Sequence, residues 1–170
     1  MAKSFDGATK VNPRFISGVI PQAVDLLPTD TATYKSGELG ETTTAGTHLA
    51  IADDAADVSV MFASTRASAL AATPDKGFAI DTGSKYMISV VNGTSDTSAE
   101  RTMVGALYSI EVISNVACLD KDTVAAHSSD IFKVDGLMSD LEPARHAIAD
   151  VPGHVYGHFI RPNSNDANAA

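Results

Sequence analysis

The chain has 170 residues, 44% of them hydrophobic and 19% charged, and a formal net charge of −9. That length supports one domain with its own core, because a domain near this size hides about 70% of the surface its unfolded chain exposes. An acidic chain without a Lys/Arg cluster cannot draw affinity from counterion release, which argues against direct nucleic-acid binding; a single cysteine, Cys118, excludes an intrachain disulfide.

The first 45 residues differ from the rest. Pro13, Pro21 and Pro28 separate short apolar pieces, "RFISGVI" and "AVDLL", and Gly and Thr dominate the end of the stretch. Proline removes a backbone donor and keeps the preceding residue extended, so these pieces form short extended segments rather than a helix. Two readings stay open. The segment is a loosely packed edge of the domain, or it is an extended arm whose Phe15, Ile16, Val19, Ile20, Leu26 and Leu27 dock on another subunit. The expected organisation is an N-terminal arm over 1–45, a β domain over 46–162 and a polar tail over 163–170. "MAKSFDGATK" has no apolar core of a secretory signal, which predicts a chain made and kept soluble, and "NGT" at 92–94 then reads as a turn.

From Thr47 onward, apolar residues alternate with polar ones. "THLAIA" puts Leu49 and Ile51 on one face. "DVSVMF" groups Val58, Val60 and Phe62 against Ser59 and Met61, and "KYMISVVNG" aligns Tyr86, Ile88 and Val90 before a turn at Asn92-Gly93. "GFAIDTG" is a short strand. The longest alternation, "TMVGALYSIEVIS" over 102–114, predicts one strand with Val104, Ala106, Tyr108, Ile110 and Val112 inward and Gly105, Ser109 and Glu111 outward. Its surroundings, residues 103–119, are interrupted by Glu111, Ser114 and Asn115 and are too polar to span a membrane. Further strands are expected at 131–137 and 154–160. "SDLEPARHAIAD" has Ser139 and Glu142 in capping-box spacing with Pro143 in the first turn, which predicts a helix ended by Pro152-Gly153. "TRASALAAT" over 65–73 is a second candidate helical turn. The fold class is mainly β: a small antiparallel β-barrel or sandwich with an extended N-terminal arm and one or two short helices.

Catalytic and metal signals are sparse. His154 and His158 stand four apart in "GHVYGHFIRP". On a helix they would share a face ready for zinc. On a strand they are about 13 Å apart at about 3.3 Å per residue, beyond bonds near 2 Å to one ion. The pair therefore reads as surface or interface histidines flanking Tyr156. His48, His127 and His146 are isolated in sequence, and neither a nucleophile elbow nor a phosphate-cradling glycine loop is present. Cys118, between Ala117 and Leu119, reads as a small buried thiol, since a nucleophilic role with His127 needs contact in space. Asp120 and Asp122 read as a solvated turn, and Asp53 and Asp54 as loop charges. The expectation is a non-enzyme with no metal and no cofactor.

The Thr/Gly/Pro-bearing start through "GETTTAG", followed by a small Ala/Gly/Thr-rich β domain with "HLAIADDAADVSV" and "RTMVGALYSIEV", resembles decoration (cement) proteins of tailed-phage heads. Members of that family bind the outer capsid surface at junctions between subunits, often as trimers. The resemblance implies a structural virion protein, made in the host cytoplasm, which stabilises a bacteriophage capsid. Its partners would be the major capsid protein and copies of itself, with no membrane and no nucleic acid. Two other classes remain open: another β-rich virion part such as a tail-tube or head-completion subunit, and a carbohydrate- or receptor-binding β module. The aromatic content of 6% and the absence of Trp weigh against the glycan reading.

Overall fold

A computed structural model describes residues 10–52, 58–68, 74–122 and 131–160. In chain order the early strands are β1 (Arg14–Ser17), β2 (Ala23–Leu26), β3 (Leu39–Thr42), β4 (His48–Ala50), β5 (Val60–Phe62) and β6 (Asp75–Ala79). They are followed by β7 (Lys85–Asn92), β8 (Ser95–Asp96), β9 (Leu107–Tyr108), β10 (Ile110–Ile113), β11 (Val116–Asp120), β12 (Phe132–Leu137) and β13 (His154–Phe159). Among the described residues, helix is confined to a 3-10 turn at Arg101–Met103 and a single α turn, α1 (Met138–Leu141).

The fold is a nearly closed six-stranded barrel with a second sheet against it. The barrel runs β10-β11-β7-β13-β12-β9, and β1 and β8 also pair with β7. Its two ends, β9 and β10, are consecutive in the chain, joined through Ser109. Ile131 N–H donates to the Tyr108 carbonyl and Asp120 N–H donates to the Ser109 carbonyl, each at 3.1 Å, so the chain changes partner at this residue. The pairings are antiparallel apart from β11 on β7, which is parallel with Leu119 opposite Val90.

The second sheet runs β2-β6-β5-β3-β4. It closes by the same device. Residues 27–29, continuing β2, meet the far edge: His48 N–H donates to the Leu27 carbonyl at 2.8 Å and Thr29 N–H donates to the His48 carbonyl at 3.0 Å. Its interior is a small core of Leu26, Ala32, Tyr34, Val60 and Phe62, with the Tyr34 and Phe62 rings stacked at 3.8 Å. Leu39, Ile51, Val58 and Ile80 face the other way and join the larger core, among Tyr86, Ile88, Val90, Ile110, Phe132 and Phe159. The two sheets thus share one wall.

Several expectations hold. Strands expected at 131–137 and 154–160 are β12 and β13, and Tyr86, Ile88 and Val90 of β7 all enter the larger core. Cys118 is fully buried, and burial pushes its thiol pKa up to about 12. Others are corrected. Residues 10–45 form three strands of the sheets, and the boundary expected at residue 45 falls inside the β3–β4 hairpin. The strand expected over 102–114 starts only at Leu107. Met103 is buried in the preceding 3-10 turn, Val104 is exposed, and Ser109, expected outside, is 1% exposed because both closing pairings meet there. The helix expected over 139–150 stops at Leu141. Glu142, kept out of the helical region at φ −132°, ψ 66° ahead of Pro143, ends it, and the N-cap position is Leu137 rather than Ser139. Asp120 is buried, not solvated; its Oδ1 accepts from Gly93 N–H at 2.9 Å and Asp122 N–H at 3.0 Å, which ties the β7–β8 turn to β11. His127, Asp53, Asp54 and the expected tail over 163–170 lie outside the described residues, as do 69–73 of the second helical candidate.

Candidate interaction site

The crossover from barrel to second sheet, residues 17–22, builds an apolar groove. β1 lies on the β7 edge with Phe15 opposite Tyr86, their rings meeting edge to face at 6.1 Å. The chain then turns at Gly18, whose φ of +108° favours glycine, and where a Cβ would strike the Gly83 backbone. This close approach lets the Ser84 hydroxyl donate to the Val19 carbonyl at 2.8 Å. Held there, Ile20 and Pro21 wall a groove of about 280 Å³ with Phe15, Met61, Phe78, Ile80 and Tyr86.

The groove is open to solvent through large apolar groups. Ile20 is 79% exposed and Val19 55%, with Phe15, Leu27 and Phe78 around 40%. Of the six residues expected to dock on a partner, Phe15, Val19, Ile20 and Leu27 therefore face outward. Ile16 is half-buried and lines a neighbouring, more polar cavity. Leu26 is corrected: it is 1% exposed and fills the chain's own small core. Phe78 belongs with the exposed group and was missed in the sequence. Its "GFAIDTG" pattern marks a strand, but not which face a neighbouring crossover will leave bare.

The polar cavity, about 260 Å³, lies on the other side of Phe15 and is lined by Arg14, Phe15, Ile16, Met87, Met138, Glu142, Arg145 and His146. Beside it, His146 and His154 are both buried, with ring centroids 5.0 Å apart. His154 Nε2 lies 3.2 Å from Ser89 Oγ, which also accepts from Val11 N–H at 3.1 Å. This corrects the surface reading of His154. His158 is half-buried, with Nδ1 2.9 Å from Asp135 Oδ2, and Lys85 Nζ donates to the same carboxylate oxygen at 2.6 Å. Burial alone would raise the Asp135 pKa, but these partners outweigh it and hold the carboxyl below its usual range. Ser89 carried no sequence signal, standing between the apolar residues Ile88 and Val90 of β7.

A third polar group sits at the mouth of the small core. Tyr34 OH donates to Asp75 Oδ2 at 2.5 Å, and the Ser64 hydroxyl reaches the same carboxylate at 2.7 Å. Burial, reinforced by Asp75, pushes the Tyr34 pKa up to about 12. Tyr34 and Cys118 thus stay protonated near neutral pH, and neither supplies an anionic nucleophile by itself. Among the described residues, no group of three or more His, Cys, Asp and Glu side chains could hold a metal ion, and no helix is long and apolar enough to cross a membrane.

No protein-family model, curated protein or solved structure matches the chain.

Proposed function

We propose that this chain is a structural protein that docks on a larger protein shell, and that the shell is a bacteriophage capsid which it decorates and stabilises. The observation that carries the reading is the apolar groove with Phe15, Ile20 and Phe78 exposed along it and Val19 exposed beside Ile20. Exposed apolar groups gathered about one concavity mark a protein contact more often than scattered ones do. The arm acts from its place on the sheets: residues 14–17 stay paired with β7 and 23–26 with β6, and the outward side chains of these strands and of the crossover between them make the contact. Each such side chain contributes about 1.5–3 kcal/mol when fully buried, before ordering costs. A symmetric oligomer, a trimer in the resemblance, multiplies that hold through effective concentration.

The test is co-sedimentation of Ile20→Asp and Phe78→Asp with undecorated capsids, alongside the unsubstituted protein and circular dichroism of each. Folded variants that no longer pellet with the shell support the reading. Folded variants that bind like the original sink it.

A further inference from the structure

The β7–β8 hairpin contributes no residue to the apolar groove or the polar cavity, yet it carries a reactive pair. Asn92 pairs with Ser95, so Gly93 and Thr94 form a two-residue loop. Gly93 has φ +56°, with open space where a Cβ would stand, and Asn92 is exposed. An asparagine side chain is open to attack by the next backbone nitrogen, and a glycine there has no side chain to hinder the approach. The other asparagines among the described residues differ. Asn12 precedes Pro13, which has no N–H, and Asn115 precedes the β-branched Val116.

We propose that Asn92-Gly93 is a self-modification site gated by Asp120, deamidating through a succinimide when the turn is released from β11. The Gly93 nitrogen gives its proton to hydroxide and bonds to Asn92 Cγ. The bond from Cγ to the side-chain nitrogen breaks, and that nitrogen leaves as ammonia with a proton from water. Water then opens the ring at either carbonyl, leaving aspartate or isoaspartate.

Two features of the closed hairpin hold the step back. Gly93 N–H donates to Asp120 Oδ1 at 2.9 Å, so the proton that must leave is engaged, and charge developing on the nitrogen would face a carboxylate. A carboxylate is too weak a base to take that proton itself. Ring closure also needs Asn92 to leave the extended conformation it has at the end of β7. Asp120 is in turn fixed by its surroundings. It is 7% exposed at the end of β11, and its Oδ1 accepts from Asp122 N–H at 3.0 Å as well. Beside it, Lys121 N–H donates to the Val91 carbonyl at 2.7 Å. The gate is therefore the β7–β11 pairing, and the rate at Asn92 reports its opening. Isoaspartate would add a methylene to the backbone where Asn92 meets Ser95 and break that register.

The experiment incubates the whole protein at neutral pH and follows the peptide containing residues 92 and 93 by mass spectrometry, with isoaspartate scored separately. Conversion should occur at Asn92 ahead of Asn12 and Asn115, and about tenfold or more slowly than in the same chain unfolded in urea. Asp120→Ala removes the acceptor and should raise the rate about tenfold, with the amides of β12 and β13 as protected from exchange as before. Asp120→Asn keeps an acceptor oxygen and should stay closer to the original rate than to that of the Ala variant. A folded Ala variant no faster than the original overturns the proposal, as does a native rate equal to the unfolded one. Where Asp120→Ala fails to fold or loosens β12 and β13, the unsubstituted protein decides. Its conversion at Asn92 should rise in step with exchange of the Gly93 amide as urea is added, and conversion that proceeds while that amide stays protected overturns the gate.

Discussion

Each sheet is closed by one stretch of chain that changes partners, and the two stretches are built differently. In the barrel it is residues 107–113, where Tyr108, Ser109 and Ile110 are all buried. In the second sheet it is residues 23–29, where Leu26 points into the small core while Asp25 and Leu27 remain outside. The first closure is sealed by packing on both faces. The second has one committed face and one face left for solvent or a partner, and its far contact is made through His48, whose Nδ1 accepts from Leu27 N–H at 3.2 Å. The larger core lies in the barrel, and the apolar groove lies at the crossover between the sheets.

The largest effects should come from breaking the barrel closure. Ile110→Asp and Ser109→Asp each bury an unpaired carboxylate, and each should cost several kcal/mol, enough to abolish cooperative unfolding of a marginal domain. The sequence pattern alone expects Ser109→Asp to be mild, so denaturant titration of this variant is the sharper of the two. A Gly157→Ala change belongs in the same class: a Cβ there runs into the Lys133 carbonyl and the Phe132 ring across the β12–β13 pair.

Breaking the smaller closure should be costly but survivable. Leu26→Ala leaves a cavity in a core of few members and should lose about 2–5 kcal/mol, read as a lower denaturant midpoint. If Leu26→Ala cost less than 1 kcal/mol, the small core would not be holding its sheet.

A weaker effect is expected from acid. The Asp135 carboxyl, beside Lys85 and His158, has its pKa held below the ordinary carboxylate value. A depressed carboxylate contributes stability above the unfolded pKa and loses it as pH falls through the folded one. Asp135→Asn should flatten that acid-side decline in thermal midpoint while changing little at pH 7 beyond the lost pairs. The smallest effect is expected at the open face of the second closure. Leu27→Ser should stay within about 0.5 kcal/mol of the original in denaturant unfolding, as for surface sites.

Much of the fold was legible because alternation reports strands wherever one face is buried. β7, β12 and β13 follow directly from "KYMISVV", "FKVDGL" and "HVYGHF". Burial of both faces was not legible, since the cover over Met87, Ser89 and Val91 includes distant residues such as Val11 and Met138. The groove was half legible. Phe15, Val19, Ile20 and Leu27 stand out as apolar residues in a proline-broken stretch, whereas Leu26 looks identical in sequence and lies inside.

By itself the sequence determined local conformation: extended pieces between prolines, alternating strands and the Asn92-Gly93 turn. These depend on neighbours a few residues apart. The tertiary structure decided which partner each strand takes, where one strand divides between two partners at Ser109, and which of two equivalent apolar side chains is buried. It also brought His146 to within 5.0 Å of His154 across the outer layer. Those outcomes depend on long-range pairing, and a period of two residues specifies a face without specifying what will cover it.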